Sequence, residues 1–173
     1  NNGGYRDLTR RNQPRVTITE GQTEVVSYRN VRDPVGSLRV DKVVKGAYTD
    51  DDHKFTFKVD AQMPDSENDD EWIINPDFNN ENEYDVKIYS RSNNELQESS
   101  KVKFVEGQAT LKLKADQYAV IEGLPLNKNE RFQVSEEDPE ITNMTTTWAK
   151  DNGTPETGLV AESVTLNETN VPR

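Results

Sequence analysis

The chain has 173 residues, no cysteine, 31% hydrophobic and 31% charged residues, and a formal net charge of −11 with a pI near 4.6. That charge repels phosphate backbones and anionic lipid headgroups, so nucleic acid and membrane surfaces are poor partners. Without cysteine, disulfides, thiolate metal sites and cysteine nucleophiles are excluded, and an extracellular chain of this kind needs another way to resist unfolding.

No apolar run approaches a membrane span, no signal peptide is visible, and the start at Asn1 reads as a piece excised from something larger. Acidic residues gather in a few loops while the intervening segments alternate cleanly, which indicates a folded β domain with long solvated loops. Residues 1–13 read as a poorly ordered lead-in. Arg15-Val16-Thr17-Ile18-Thr19 and Glu24-Val25-Val26-Ser27-Tyr28-Arg29-Asn30 look like a hairpin joined through Glu20-Gly21-Gln22-Thr23. Two strands alone are not a stable unit. Residues 1–36 are therefore assigned to the tail or edge strands of a preceding domain plus a linker, and residues 37–173 to the main domain.

The main domain opens with Ser37-Leu38-Arg39-Val40-Asp41-Lys42-Val43-Val44-Lys45-Gly46 after the Pro34-Val35-Gly36 break. Alternation puts Leu38, Val40, Lys42 and Val44 on one face, so a lysine sits in an apolar stripe. The next strand, residues 54–59, carries Phe55, Phe57 and Val59 on one face. Residues 63–83 are rich in Asp, Asn and Glu and read as a surface excursion anchored by Trp72-Ile73-Ile74. Short strands follow at residues 84–89, 101–104, 109–113 and 118–121. Gly123-Leu124-Pro125-Leu126 reads as a turn into a strand over residues 131–138, with Phe132, Val134 and Glu136 on one face. A strand around Trp148 and a last one over residues 159–170 complete the set. In the last strand Val164, Leu166, Glu168 and Asn170 share parity if no bulge intervenes. No segment keeps a helical period, so the fold class is all-β, an antiparallel β-sandwich.

Lys42, Glu136 and Asn170 are thus core-facing polar residues from three separate strands. Burial among apolar side chains favours the neutral amine, a nucleophile, and the neutral carboxylic acid. Such an acid can polarise an asparagine carbonyl and pass a proton to departing ammonia, giving a lysine–asparagine isopeptide bond in one intramolecular turnover. On parity alone the competing reading, a Lys42–Glu136 salt bridge, carries more weight. The acidic clusters Asp50-Asp51-Asp52 and residues 65–71 lack the spacing and central glycine of a calcium loop, and are read as solvated surface with no metal. His53, the single histidine, has no constellation around it and is given no role. Asn143-Met144-Thr145, Asn152-Gly153-Thr154 and Asn167-Glu168-Thr169 match the glycosylation sequon, too short a pattern to mean much.

The pattern resembles the isopeptide-bond domains of Gram-positive surface proteins, most closely the C-terminal domain of T-antigen-type streptococcal backbone pilins. Leu38-Arg39-Val40-Asp41-Lys42-Val43-Val44-Lys45-Gly46 looks like their first strand, in which a lysine at the Lys42 position is the reactive amine. Phe55-Thr56-Phe57 is similar to the second strand. Leu111-Lys112-Leu113-Lys114-Ala115-Asp116 with Ile121-Glu122-Gly123-Leu124-Pro125 resembles the "LKDGESI..LP" region. Val134-Ser135-Glu136-Glu137-Asp138 looks like the "VTED" segment, whose assisting glutamate falls on Glu136. The resemblance covers about residues 37 to 170. It raises the isopeptide reading above the salt bridge, and implies an immunoglobulin-like (inverse-Ig, CnaB-type) sandwich whose bond joins the first and last strands.

The ending departs from the pattern, since "VTFTN" is met here by Val164-Thr165-Leu166-Asn167-Glu168-Thr169-Asn170. Direct register puts Glu168 on the asparagine position, Asn167 requires a bulge, and Asn170 keeps inward parity and is preferred. Val26-Ser27-Tyr28-Arg29-Asn30 looks like the same terminal strand of a preceding module.

The expected function is a structural stalk module of a wall-anchored extracellular bacterial surface protein, a pilin subunit or adhesin. It is not an enzyme beyond its own cross-linking, and it needs no cofactor. Its expected partners are neighbouring domains or subunits. The alternative is a ligand-binding adhesin domain for a host matrix protein or carbohydrate, with Trp72 as anchor. A hydrolase is least favoured, because its paired carboxylates can be nominated only from loops.

Overall fold

The computed structural model describes residues 35–48, 50–68, 70–78, 82–126 and 129–166, all within the compact unit Asp33–Arg173. Among them there is no helix. The strands are β1 (Val35–Lys42), β2 (Phe55–Pro64), β3 (Trp72–Ile74), β4 (Glu83–Ser90), β5 (Leu96–Lys103), β6 (Gln108–Leu113), β7 (Gln117–Pro125), β8 (Arg131–Glu136), β9 (Thr147–Trp148) and β10 (Glu156–Thr157). The hairpin expected within residues 1–36 lies outside the described residues.

One sheet runs β1-β7-β4-β5 and a second is built around β2. Phe57 pairs with both Leu111 of β6 and Glu136 of β8, and Gln62 with both Ile74 of β3 and Arg131 of β8. β8 therefore flanks one side of β2, while β6 and β3 follow one another along the other. All these pairings are antiparallel. A separate two-residue ladder joins β9 and β10.

Alternation explains how the sheets stack. Leu38 and Val40 of β1, Tyr84, Val86 and Ile88 of β4, and Ile121 of β7 face Phe55, Phe57, Val59 and Ala61 of β2, Leu111 and Leu113 of β6 and Phe132 of β8 in one buried cluster. Toward the Phe132 end the core becomes aromatic. Phe78 meets Phe104 at 4.8 Å and Phe132 at 5.5 Å between ring centroids, both edge to face, a geometry that adds about 0.5–1.5 kcal/mol per pair beyond burial. Phe78 is thus the deep anchor of the acidic excursion, a part that Trp72 does not play. Trp72-Ile73-Ile74 forms edge strand β3 instead.

Several boundaries differ from those read in the sequence. β5 begins at Leu96 because it pairs with β4 from Tyr89 onward, although nearly all of it is exposed. Gly123-Leu124-Pro125 is not a turn. It continues β7, with Leu124 opposite Gly36 and Pro125 opposite Val35. Of the strand expected around Trp148 only Thr147–Trp148 forms. The last strand, where described, is two bridges, Val160 to Ser135 and Val164 to Phe132, in place of a continuous ladder.

Candidate functional site

Lys42 is the last residue of β1, and its position is set by alternation: Gly36, Leu38, Val40 and Lys42 are the buried members of that strand. Glu136 is the last residue of β8, opposite Phe57 of β2. Its amide donates to Leu159 O at 2.8 Å, and the next amide, Glu137 N–H, donates to Thr56 O at 2.9 Å. The two side chains meet between the sheets, Lys42 Nζ to Glu136 Oε1 at 2.6 Å, with 9% and 7% of their surface exposed. Lys42 Nζ also stands 4.0 Å from the centroid of the Phe55 ring. His53 closes edge-on against Phe55 at 4.6 Å and Tyr48 tilts onto it at 6.0 Å, so the single histidine serves as aromatic packing behind the site.

This pair joins the first strand of one sheet to an outer strand of the other, in a setting with almost no water. A charge in such a place is costly unless matched in kind. At 2.6 Å one proton can be shared or transferred, which interconverts an ammonium–carboxylate pair with a neutral amine beside a carboxylic acid. The second state is the one that can attack a carbonyl. The third residue expected here, Asn170, and its register alternatives Asn167 and Glu168 lie outside the described residues. The inward parity proposed for that segment holds where it is described: Leu166 is buried and Val164 packs on the core.

Two polar assemblies went unnoticed in the sequence. On the outer face of β1, Arg39 grips Asp41 through Nε at 2.6 Å and Nη2 at 2.8 Å, and Arg91 Nε reaches the same carboxylate at 3.0 Å. The Arg39 guanidinium lies 3.7 Å over the Tyr118 ring. An i, i+2 Arg-x-Asp pair on one strand face was the available signal. The second joins Gln62, Gln133, Ser163 and Ala161, residues far apart in the chain and with no shared motif. Trp72 has one ring face covered by the Arg131 guanidinium at 3.9 Å. Among the described residues no cluster of three or more metal-ligating side chains occurs.

No curated protein matches the sequence. Among solved structures the chain is similar to the major pilin from Streptococcus pyogenes, at 17% identity and a TM-score of 0.51, over 77% of this chain and 43% of that one. A point mutant of the same pilin matches at 16% identity and a TM-score of 0.50 over the same shares. The pilus-presented adhesin Cpa matches more loosely, at 19% identity and a TM-score of 0.46, over 76% of this chain and 25% of that chain. The chain spans less than half the length of the pilin. The fold is therefore the immunoglobulin-like antiparallel sandwich found in that pilin. By sequence, residues 36–170 match the model of a domain of unknown function, DUF7601, and the chain belongs to that family.

Proposed function

We propose that this domain is a load-bearing module of a bacterial cell-surface protein, a pilus subunit or adhesin stalk, closed by a self-formed isopeptide bond between Lys42 and Asn170 with Glu136 as proton shuttle. The observation that carries this reading is the buried 2.6 Å Lys42–Glu136 contact joining the ends of two facing strands. The neutral Lys42 amine attacks the Asn170 side-chain carbonyl carbon, forming the N–C bond. The carbon–amide nitrogen bond breaks, and the proton lost by Nζ travels through Glu136 to the leaving nitrogen. One ammonia departs, the Glu136 carboxyl is regenerated, and no cofactor or co-reactant is consumed. Holding amine and amide together supplies the effective concentration that replaces a separate enzyme.

Of the three register alternatives Glu168 has no amide to release, so the leaving ammonia has to come from Asn170 or Asn167.

Force applied between β1 and the last segment would then run through a covalent bond, which suits a stalk whose partners are neighbouring modules of the same surface assembly. The similarity in fold to a streptococcal pilin supports that setting. A second reading, ligand binding by an adhesin, is favoured by edge strand β3, where Ile73 and Ile74 are 39% and 38% exposed beside Trp72. Saturable binding to a matrix protein, lost in a folded Trp72→Ala variant, would support it.

Intact-mass measurement of the folded chain tests the main proposal. It should be lighter than its sequence by one ammonia, and digestion should release a branched peptide joining Lys42 to Asn170. Glu136→Ala should restore the full mass with both reacting side chains still present. An unmodified wild-type mass would return Lys42 and Glu136 to a plain buried ion pair.

A further inference from the structure

The two sheets do not end together on the side where β5 and β6 are the outer strands. Tyr84, Val86 and Ile88 of β4 point into the core, and their partners across the ladder are Val102, Ser100 and Glu98 of β5. Residues opposite one another share a face, so these three also point toward the second sheet. Yet Ser100 and Glu98 are exposed and Val102 is only half-buried, because the second sheet stops at β6. A cleft of about 220 Å³ is left there, floored by Val86, Ile88 and Leu111. It is smaller than the roughly 300–1,000 Å³ of small-molecule sites.

The cleft also borders an unused strand edge. Ala61 N–H donates to Gly107 O at 2.8 Å, and in the same register Val59, Phe57 and Phe55 stand opposite Ala109, Leu111 and Leu113. Bonded and non-bonded pairs alternate along an antiparallel ladder. The backbone groups of residues 109, 111 and 113 therefore serve β2. Those of Thr110 and Lys112 point the other way, where no strand pairs with β6 among the described residues. The charge around this edge is opposite to that of the molecule. The chain carries −11, but Lys54, Lys101 and Lys112 line the cleft against a single acid, Glu98. Lys101 is engaged by Asp85, while Lys54 and Lys112 have no ion-pair partner among the described residues.

The geometry points to a docking site for an extended peptide segment of another protein, with acidic and apolar residues in alternation, added as a strand to the open edge of β6. Thr110 and Lys112 each offer it an amide and a carbonyl, the main-chain bonds that give strand addition its affinity. Partner residues opposite these two lie on the outer face, where carboxylates meet Lys112 and Lys54. The intervening residues turn inward onto Val86, Ile88 and Leu111. Lysines on the rim then choose acidic sequences over basic ones. Neither Lys42 nor Glu136 lines this cleft, so docking stands whether or not Lys42 is cross-linked.

The test titrates the full chain with a capped octapeptide of alternating valine and glutamate. Three relatives serve as controls: lysine in place of glutamate, the same residues in two blocks, and N-methylation of the glutamates, whose amides would face β6. Affinity is read by calorimetry, and amide hydrogen exchange is followed at Thr110 and Lys112. The alternating peptide should bind saturably and slow exchange of both amides by about tenfold or more at saturation, and the three relatives should do neither. Lys54→Glu with Lys112→Glu should weaken binding by about tenfold or more, since attractive cross-strand contacts become repulsive. Thr110→Pro should abolish it, because proline there removes an outward amide and spares the ladder to β2. Melting of each variant checks folding, and should Thr110→Pro not fold, the N-methylated peptide decides the same point. No saturable binding at millimolar peptide, or binding indifferent to N-methylation or to the charge of the peptide, would overturn the proposal. So would protection of the same amides that rises with protein concentration alone, which would make the occupant a second copy of the chain.

Discussion

Asn170→Ala is the cleanest perturbation of the proposed bond, because it removes the cross-link and leaves the Lys42–Glu136 contact at 2.6 Å. The proposed link from Lys42 to Asn170 would close a loop of about 130 residues, and the loop-entropy relation derived for disulfides gives about 5 kcal/mol for that length. Spread over the unfolding entropy of a domain this size, that corresponds to a melting temperature lower by about 15 °C. Lys42→Ala should fall further, since it also strands the Glu136 carboxylate in the core, a defect that costs about 3–5 kcal/mol when a buried pair is broken. The assay is thermal unfolding of wild type, Asn170→Ala, Lys42→Ala and the double variant, each with its mass recorded. The ordering wild type, then Asn170→Ala, then Lys42→Ala is required. Equal melting of wild type and Asn170→Ala, both at full sequence mass, would refute the reasoning.

Three further outcomes are expected. Burial pushes the Asp41 carboxyl up, but hydrogen bonds from Arg39 and Arg91 outweigh it and hold the group below the usual aspartate range. Its contribution is therefore present at neutral pH and lost as pH falls through that lowered value. Asp41→Asn should cost about 1–2 kcal/mol in denaturant titrations at neutral pH, after allowance for partial exposure, and nothing in acid where the wild-type carboxyl is protonated. A Cβ on Gly107, at φ +80°, would stand 2.3 Å from Asn75 O and 2.7 Å from Ile74 Cγ2. Gly107→Ala should thus lower stability by about 2–4 kcal/mol by prying β3 from the β5–β6 connection, and a neutral result would show that this corner yields freely. Adding calcium or a chelator should leave the melting temperature unchanged apart from ionic strength, and a large calcium-dependent rise would mean the acidic loops bind metal.

Strand parity was legible wherever one face is buried and the other wet. Leu38, Val40 and Lys42 point in, as do Phe55, Phe57 and Val59, and Phe132 and Glu136. Two of the three polar residues of the candidate site follow from that rule alone. β5 was half hidden because Leu96-Gln97-Glu98-Ser99-Ser100 has no buried face to produce alternation. Its strand state comes from pairing with β4, a long-range fact. Gly123-Leu124-Pro125 carries turn residues, yet Leu124 is fully buried and the backbone pairs with β1. Tertiary pairing overrode local propensity there. Phe78 sat unmarked in an acidic stretch with no periodicity around it. The polar assembly of Gln62, Gln133 and Ser163 has no sequence signature, because its members come from β2, β8 and the last segment.

The open edge of β5 has a consequence for crowding. A strand at the end of a sheet offers bare amides and carbonyls to any other chain that can lie beside it. Here that edge carries Glu98, Lys101 and Lys103, with only Val102 turned partly inward. A second copy approaching sideways would have to strip water from these charges, with little beyond Leu96 as exposed apolar surface on the strand to compensate. At high concentration such an edge keeps neighbouring copies from joining along it and directs contact elsewhere.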